Sequence, residues 1–158
     1  MKYLTLIRHA KSSWDDAPID DHNRPLNERG LRCAPTVGRF LAKTYLGANG
    51  TPALLPCPDR LVTSSALRAK HTAELIAAEL KSADPVTDHA LYLAAPKSLL
   101  QAVREFSNRW SHVVMVGHNP GISDFAARLL KRHDIEEMPT CAVALLEHNA
   151  IQRGIRVE

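Results

Sequence analysis

Cysteine is scarce in this sequence, and what there is shows no pattern. Cys33, Cys57 and Cys141 are odd in number, far apart and without CxxC spacing. Neither a disulfide framework nor a thiolate metal centre is indicated, and free thiols in a reducing compartment are expected. Long apolar runs are also missing. None approaches the roughly 20 residues that cross a bilayer, and the stretch from Met1 to Ile7 meets Arg8 too soon for a signal peptide. A cytoplasmic protein with no membrane partner is expected. There is no basic run either. The 20 lysines and arginines are scattered against 17 acidic residues for a net charge of +3, which gives no support to a nucleic-acid partner. Internal repeats, linkers and low-complexity tracts are absent. The 158 residues read as one domain, residues 1–158, long enough to bury a core without staples.

The hydrophobic pattern alternates between two periods. Short β-prone runs occur at Tyr3 to Ile7, Arg60 to Thr63, Val86–Thr87, His112 to Val116 and Ala142 to Leu146. Between them lie helical stretches, at about 28–45, from Ser64 or Ser65 as cap to about Lys81, at about 96–108 and from Asn119-Pro120 to about Lys131. In the first of these, Leu31, Ala34, Val37, Leu41 and Tyr45 share one face at three- and four-residue spacing, and Asn27 is the expected N-cap. Residues 11–27 read as a long loop with room for a turn of helix. Ile151 to Val157 alternate and could pair with the preceding strand across His148-Asn149 as a hairpin. Apolar strands without a polar face, alternating with helices, predict an α/β domain: a three-layer sandwich with a mostly parallel central sheet flanked by helices.

In open α/β sheets ligands bind beyond the carboxyl ends of the strands. Three predicted strands end there in polar residues. The first ends in Arg8-His9, the second leads through Ser64-Ser65 to Arg68, and the third ends in Gly117-His118-Asn119-Pro120-Gly121. Two histidines and two arginines therefore converge at one sheet edge. Guanidinium groups clamp phosphoryl oxygens by bidentate hydrogen bonds and stabilise the charge of phosphoryl transfer. A neutral imidazole can attack phosphorus and hold it as phosphohistidine. A helix N-terminus beside the strand end adds backbone donors.

These residues resemble a known family. Arg8-His9-Ala10-Lys11-Ser12 resembles the arginine-histidine-glycine signature of the histidine phosphatase superfamily, with Ala10 where glycine is usual, a change smaller SixA-type members commonly share. Ser64 to Ala69 with Thr72-Ala73 is similar to the second arginine motif, and Val116 to Gly121 to the second histidine motif. Asp21 to Gly30 looks like the linking segment of the SixA-type group. The resemblance implies a phosphoglycerate mutase-like fold. It implies His9 as nucleophile, Arg8 and Arg68 as phosphoryl ligands, and His118 completing the pocket, with no metal and no cofactor. SixA-type members act on phosphohistidine carried by proteins through an open, shallow site, and a chain of this length has no room for a capping domain.

Several neighbouring residues have two readings. Ser12 can bind the phosphoryl group or form a turn. Lys11 and Trp14 can line the entrance or serve only surface and packing roles, and Arg24 and Arg29 can shape the rim or pair with Asp21 or Glu28. His22, His71, His89, His133 and His148 match no motif, and no pair of the eight histidines has zinc-ligand spacing.

One departure bears on the substrate. Many relatives in the superfamily carry a carboxylate that protonates the leaving group, either directly after the second histidine or between the second arginine and that histidine. Here those places hold Asn119 and Leu93. Losing a positioned acid costs about 10²–10⁴-fold on an ester, whereas a protonated imidazole can leave neutral. Glu74, Asp88, Asp15 or Asp16 could fold in as replacements. Three functions follow: a phosphohistidine phosphatase acting on a phosphorylated protein, a small-molecule phosphomonoesterase, or a phosphate-binding adaptor without catalysis.

Overall fold

The computed structural model describes residues 3–14, 20–47, 50–106, 109–132, 134 and 136–147. The two most apolar runs form the central strands, β1 (Tyr3–Arg8) and β4 (His112–Gly117). They pair in parallel, with Tyr3 opposite His112 and Arg8 opposite Gly117. β2 (Arg60–Ser64) pairs in parallel with the other edge of β4, and β3 (Val86–Asp88) with β2. β5 (Val143–Glu147) closes the sheet antiparallel to β1. The order is β3-β2-β4-β1-β5. The mostly parallel sheet expected from the apolar strands is present.

Side chains alternate across the sheet, so each strand feeds two cores. Leu4, Leu6, Val113 and Met115 pack with Leu99 of α3 (Pro96–Glu105) and Phe125 of α4 (Gly121–Leu130). Ile7, Val114 and Val116 pack with Leu41 of α1 (Glu28–Leu46) and Ile76 of α2 (Leu67–Leu80). Helices therefore cover both faces, giving the expected three layers. No helix among the described residues is long and apolar enough to cross a membrane.

Local rules hold with three corrections. Asn27 caps α1 by accepting the Gly30 N–H at 2.9 Å, and Ala34, Leu41 and Tyr45 are buried as predicted, while Leu31 is 43% exposed. Neither Ser64 nor Ser65 caps α2. The N-cap is Ala66, with no side-chain bond, and both hydroxyls stand instead within hydrogen-bond distance of histidines. Pro120 stands at the N-cap of α4, one position before its first helical residue. The hairpin at 151–157 lies outside the described residues. A Cβ on Gly30 would collide with the carbonyl of Lys11, so the bare backbone there lets the Lys11 main chain lie against α1.

Candidate active site

The register of β1 and β4 brings the two signature histidines side by side. His9 donates its backbone N–H to Gly117 O at 3.0 Å, and the rings of His9 and His118 stand 5.0 Å apart. His9 Nδ1 lies 2.7 Å from the carbonyl of Ala10. A carbonyl only accepts, so the ring hydrogen sits on Nδ1 and Nε2 carries the lone pair. Arg68, in the first turn of α2, points its Nε at that nitrogen from 3.2 Å. Thr72 ties the two elements together: it accepts the Ala10 N–H at 3.0 Å and donates to Arg68 O at 2.6 Å.

His118 Nε2 lies 2.7 Å from Ser64 Oγ, which also accepts the Ala66 N–H at 3.3 Å. When the Ser64 hydroxyl donates to Nε2, His118 keeps its hydrogen on Nδ1. That Nδ1 is buried without a partner, and so is the Nε of Arg8. Buried donors without acceptors are rare. Here both belong to neighbours of His9, as expected where an anion is to bind. Arg8 is itself anchored by Nη1 donating to Met138 O at 2.7 Å.

Burial, followed by the charges of Arg68 and Arg8, pushes the His9 pKa down to about 4 against the opposing Ala10 hydrogen bond. Burial and then His9 and Arg68 push His118 down to about 3, and burial also lowers His112. His9 is thus a neutral base at physiological pH. The same shifts predict how stability depends on pH. The unfolded chain binds protons on histidines near pH 6.5, whereas folded His9 resists them until about pH 4 and His118 until about pH 3. Their contribution is full above about pH 6.5 and is lost as pH falls toward 3. The expected outcome is a melting temperature that drops between pH 7 and pH 4, with a shallower drop in His118→Asn, checked by calorimetry.

A second layer comes from the segment whose sequence predicts a long loop with room for a turn of helix. Its turn of 3-10 helix, Asp21–Asn23, places Asp21 against Arg68. The carboxylate accepts from Arg68 Nη2 at 3.0 Å and from the Tyr92 hydroxyl at 2.7 Å, while the Asp21 carbonyl takes Arg68 Nη1 at 2.5 Å. Burial works to raise the Asp21 pKa, but the Tyr92 bond and the Arg68 and Arg24 charges outweigh it and hold the carboxyl below its usual range. The other Asp21 oxygen accepts from Arg24 Nη1 at 2.9 Å. Arg24 also donates to Ser13 O at 3.1 Å and to the hydroxyl of Ser12, and it stacks over the Trp14 ring at 3.3 Å.

The structure brings Arg8, His9, Arg68 and His118 together. Ser12 is buried one step back, on Arg24. Trp14 and Lys11 are exposed, and Arg29 is exposed while Glu28 pairs with Arg32 at 3.6 Å. None of the described acid candidates is shown aimed at His9. Asp88 caps its own turn by accepting the Ala90 N–H at 2.8 Å, Glu74 is exposed, and Asp15 and Asp16 lie outside the described residues. Asn119 is spent on Met138 O at 3.0 Å and Ser123 Oγ at 2.6 Å. Among the described residues, no three His, Cys, Asp or Glu converge as metal ligands. Sequence reasoning missed Ser64 as the partner of His118, Tyr92 as the partner of Asp21, and Asp21 as the holder of Arg68. For Asp21 a signal existed in the Asp21–Arg24 spacing.

Residues 4–92 match the histidine phosphatase superfamily (branch 1). The chain belongs to that superfamily. An uncharacterized protein of Mycobacterium tuberculosis is 31% identical over 149 residues, covering 89% of this chain and 85% of its own. Among solved structures, this histidine phosphatase shares its fold with SixA from Agrobacterium tumefaciens (TM-score 0.80, 23% identity, 94% of this chain and 92% of that one). It shares it also with a mycobacterial glucosyl-3-phosphoglycerate phosphatase (TM-score 0.71, 16% identity, 93% and 91%). The phosphoglycerate mutase-like architecture expected from the sequence is the one found.

Proposed function

We infer that this protein removes phosphoryl groups through a phosphohistidine formed on Nε2 of His9, and that its preferred substrate is phosphohistidine on a protein. The observation that carries the reading is the state of His9: Nδ1–H locked on the Ala10 carbonyl, pKa held near 4, and the Nε2 lone pair facing Arg68. A phosphoryl group entering between Nε2 and Arg68 Nε would take the arginine hydrogen bond for its own oxygens. It would also meet the unpartnered Arg8 Nε and His118 Nδ1. Nε2 then attacks phosphorus as the bond to the leaving group breaks, with the electron pair going to the leaving atom. Water next attacks the phosphohistidine, the P–N bond breaks, and His9 returns neutral. Arg8 and Arg68 neutralise the equatorial oxygens in both displacements, so the reaction as drawn needs no metal.

The P–N preference is supported by the lack of a carboxylic acid beside His9 among the described residues. Asp21 is ionised and can only accept. A protonated imidazole departs neutral, whereas an alkoxide requires a proton. The likeness to SixA points the same way, while the fold shared with a phosphatase of a sugar phosphate ester keeps small-molecule esters as the second reading. An adaptor reading has less support, because binding phosphate does not call for a nucleophile of fixed tautomer.

The test is phosphate release from a phosphohistidine protein and from phenyl phosphate at equal enzyme concentration. Turnover of the P–N substrate at least about 10²-fold faster is the expected outcome. Faster release from the ester would assign the protein to the small-molecule branch. Phosphate binding without release from either substrate would leave only the adaptor.

A further inference from the structure

Two of the three cysteines meet beside the nucleophile. Cys141 is buried in a small apolar cluster with Ala10, Leu26 and Ala34, and Cys33, half-buried on α1, packs against the same cluster. The thiols are close enough that Cys33 adds to burial in pushing the Cys141 pKa up. Ala10, which shares this cluster, directly follows His9. The third cysteine, Cys57, is exposed, and its thiol donates to Tyr45 O at 3.7 Å.

Cys141 also holds the pocket through its main chain. Its N–H is shared between Arg8 O at 3.1 Å and His9 O at 3.3 Å. Three residues earlier, Met138 O accepts from Arg8 Nη1 at 2.7 Å and from Asn119 Nδ2 at 3.0 Å. Residues 138–141 thus form a strap that holds the main chain of both signature residues and the guanidinium of Arg8. Cys141 has φ +66°, a conformation that glycine and asparagine take more readily than cysteine. The backbone therefore gives no reason for a cysteine here, whereas a neighbouring thiol does.

We propose that Cys33 and Cys141 are a redox modification site: a peroxide converts them to a disulfide, and that bond throttles the phosphatase site. Cys33 reacts first, because it is half-buried while Cys141 is buried and its thiolate disfavoured. The Cys33 thiolate attacks a peroxide oxygen, an S–O bond forms, and the O–O bond breaks to give water and a sulfenic acid. The Cys141 sulfur then attacks the Cys33 sulfur. The S–S bond forms, the S–O pair leaves with the hydroxyl, and the Cys141 proton completes a second water. Two thiols and one peroxide give one disulfide and two waters, and an external dithiol reverses the step by exchange. Unbonded sulfurs stand no closer than about 3.5 Å, and a disulfide is about 2.05 Å long. Closing the bond therefore draws α1 and the strap together by roughly 1.5 Å. α1 is a 19-residue helix with Leu41 and Tyr45 in the core, so the shift falls on the strap. The anchor of Arg8 and the hydrogen bond to His9 O move with it. Misplacing a catalytic group by about 1 Å costs up to about 10²-fold.

The test treats the full chain with stoichiometric hydrogen peroxide and follows three readouts. Peptide mapping should find Cys33 joined to Cys141 with the loss of two hydrogens. Phosphate release from a phosphohistidine protein should fall about 10-fold or more and return with dithiothreitol. Cys33→Ser and Cys141→Ser should each keep full activity under peroxide, while Cys57→Ser should respond as wild type does. Cys33→Ser, at a half-buried position, keeps the test open if Cys141→Ser fails to fold. No Cys33–Cys141 bond, a bond that leaves activity unchanged, or a loss that persists in Cys33→Ser would overturn the proposal. The throttle rests on the phosphatase reading only for its kinetic readout. If the reduced protein releases no phosphate, that reading fails by itself, and the throttle is then decided by the mapped bond and by inorganic phosphate binding, which oxidation must weaken about 10-fold for it to stand.

Discussion

Replacing His9 with alanine lowers phosphate release by on the order of 10⁴-fold or more, whatever the substrate. The size follows from what is lost. His9 Nε2 faces Arg68 Nε at 3.2 Å, and its neutral state is enforced by burial and by the Arg68 and Arg8 charges. Without it, water must attack the phosphoryl group directly, and two modest barriers become one high one. Rapid quenching into alkali should leave acid-labile, alkali-stable phosphate on wild-type protein, and none on His9→Ala. Retention of label in the variant would place the nucleophile elsewhere. The fold should survive, because the ring is held by one carbonyl and one arginine and belongs to neither apolar core.

Arg68→Ala is expected to cost about 10²–10³-fold in kcat/KM, the scale for removing one preorganised charge stabiliser. Two effects combine. The guanidinium that would meet the phosphoryl oxygens is gone, and Asp21 loses the partner bonded at 3.0 Å. The carboxylate then faces the anion site with less neutralising charge. Arg68→Lys should recover little, because an ammonium cannot hold the Asp21 carbonyl, the Asp21 carboxylate and the phosphoryl site with one rigid fork. The double variant Arg68→Ala/Asp21→Asn should outperform Arg68→Ala, since the two residues are coupled. Steady-state kinetics on wild type, Arg68→Ala, Asp21→Asn and the double variant decides this. Additive losses would show that Asp21 acts independently of Arg68.

The strands, the layers and the convergence of four charged or titratable residues were legible in the sequence because each rests on a local rule. Apolar runs become buried strands, and residues just past parallel strand ends share an edge. Loop contacts between distant segments were not legible. Ser64 and Ser65 look like helix caps because that is the commonest fate of serine before an apolar-periodic stretch. Tertiary geometry offers them histidines instead, and Ala66 is left to begin α2. Asp21 and Tyr92 are 71 residues apart and meet by one hydrogen bond, which no periodicity encodes. Leu31 fits the helical spacing of α1 but stays exposed and joins none of the apolar clusters.

Neighbouring strands lie about 4.8 Å apart in every sheet, and the rings of His9 and His118, leaving adjacent strands in register, stand 5.0 Å apart. The main-chain hydrogen bonds of β1 and β4 act as a ruler for the pocket, and side-chain packing beneath it only decides whether the ruler exists. Substitutions in the two apolar cores should therefore change how many molecules are folded, while each folded molecule keeps its affinity and turnover. The pocket can drift in sequence all around its base and keep its dimensions.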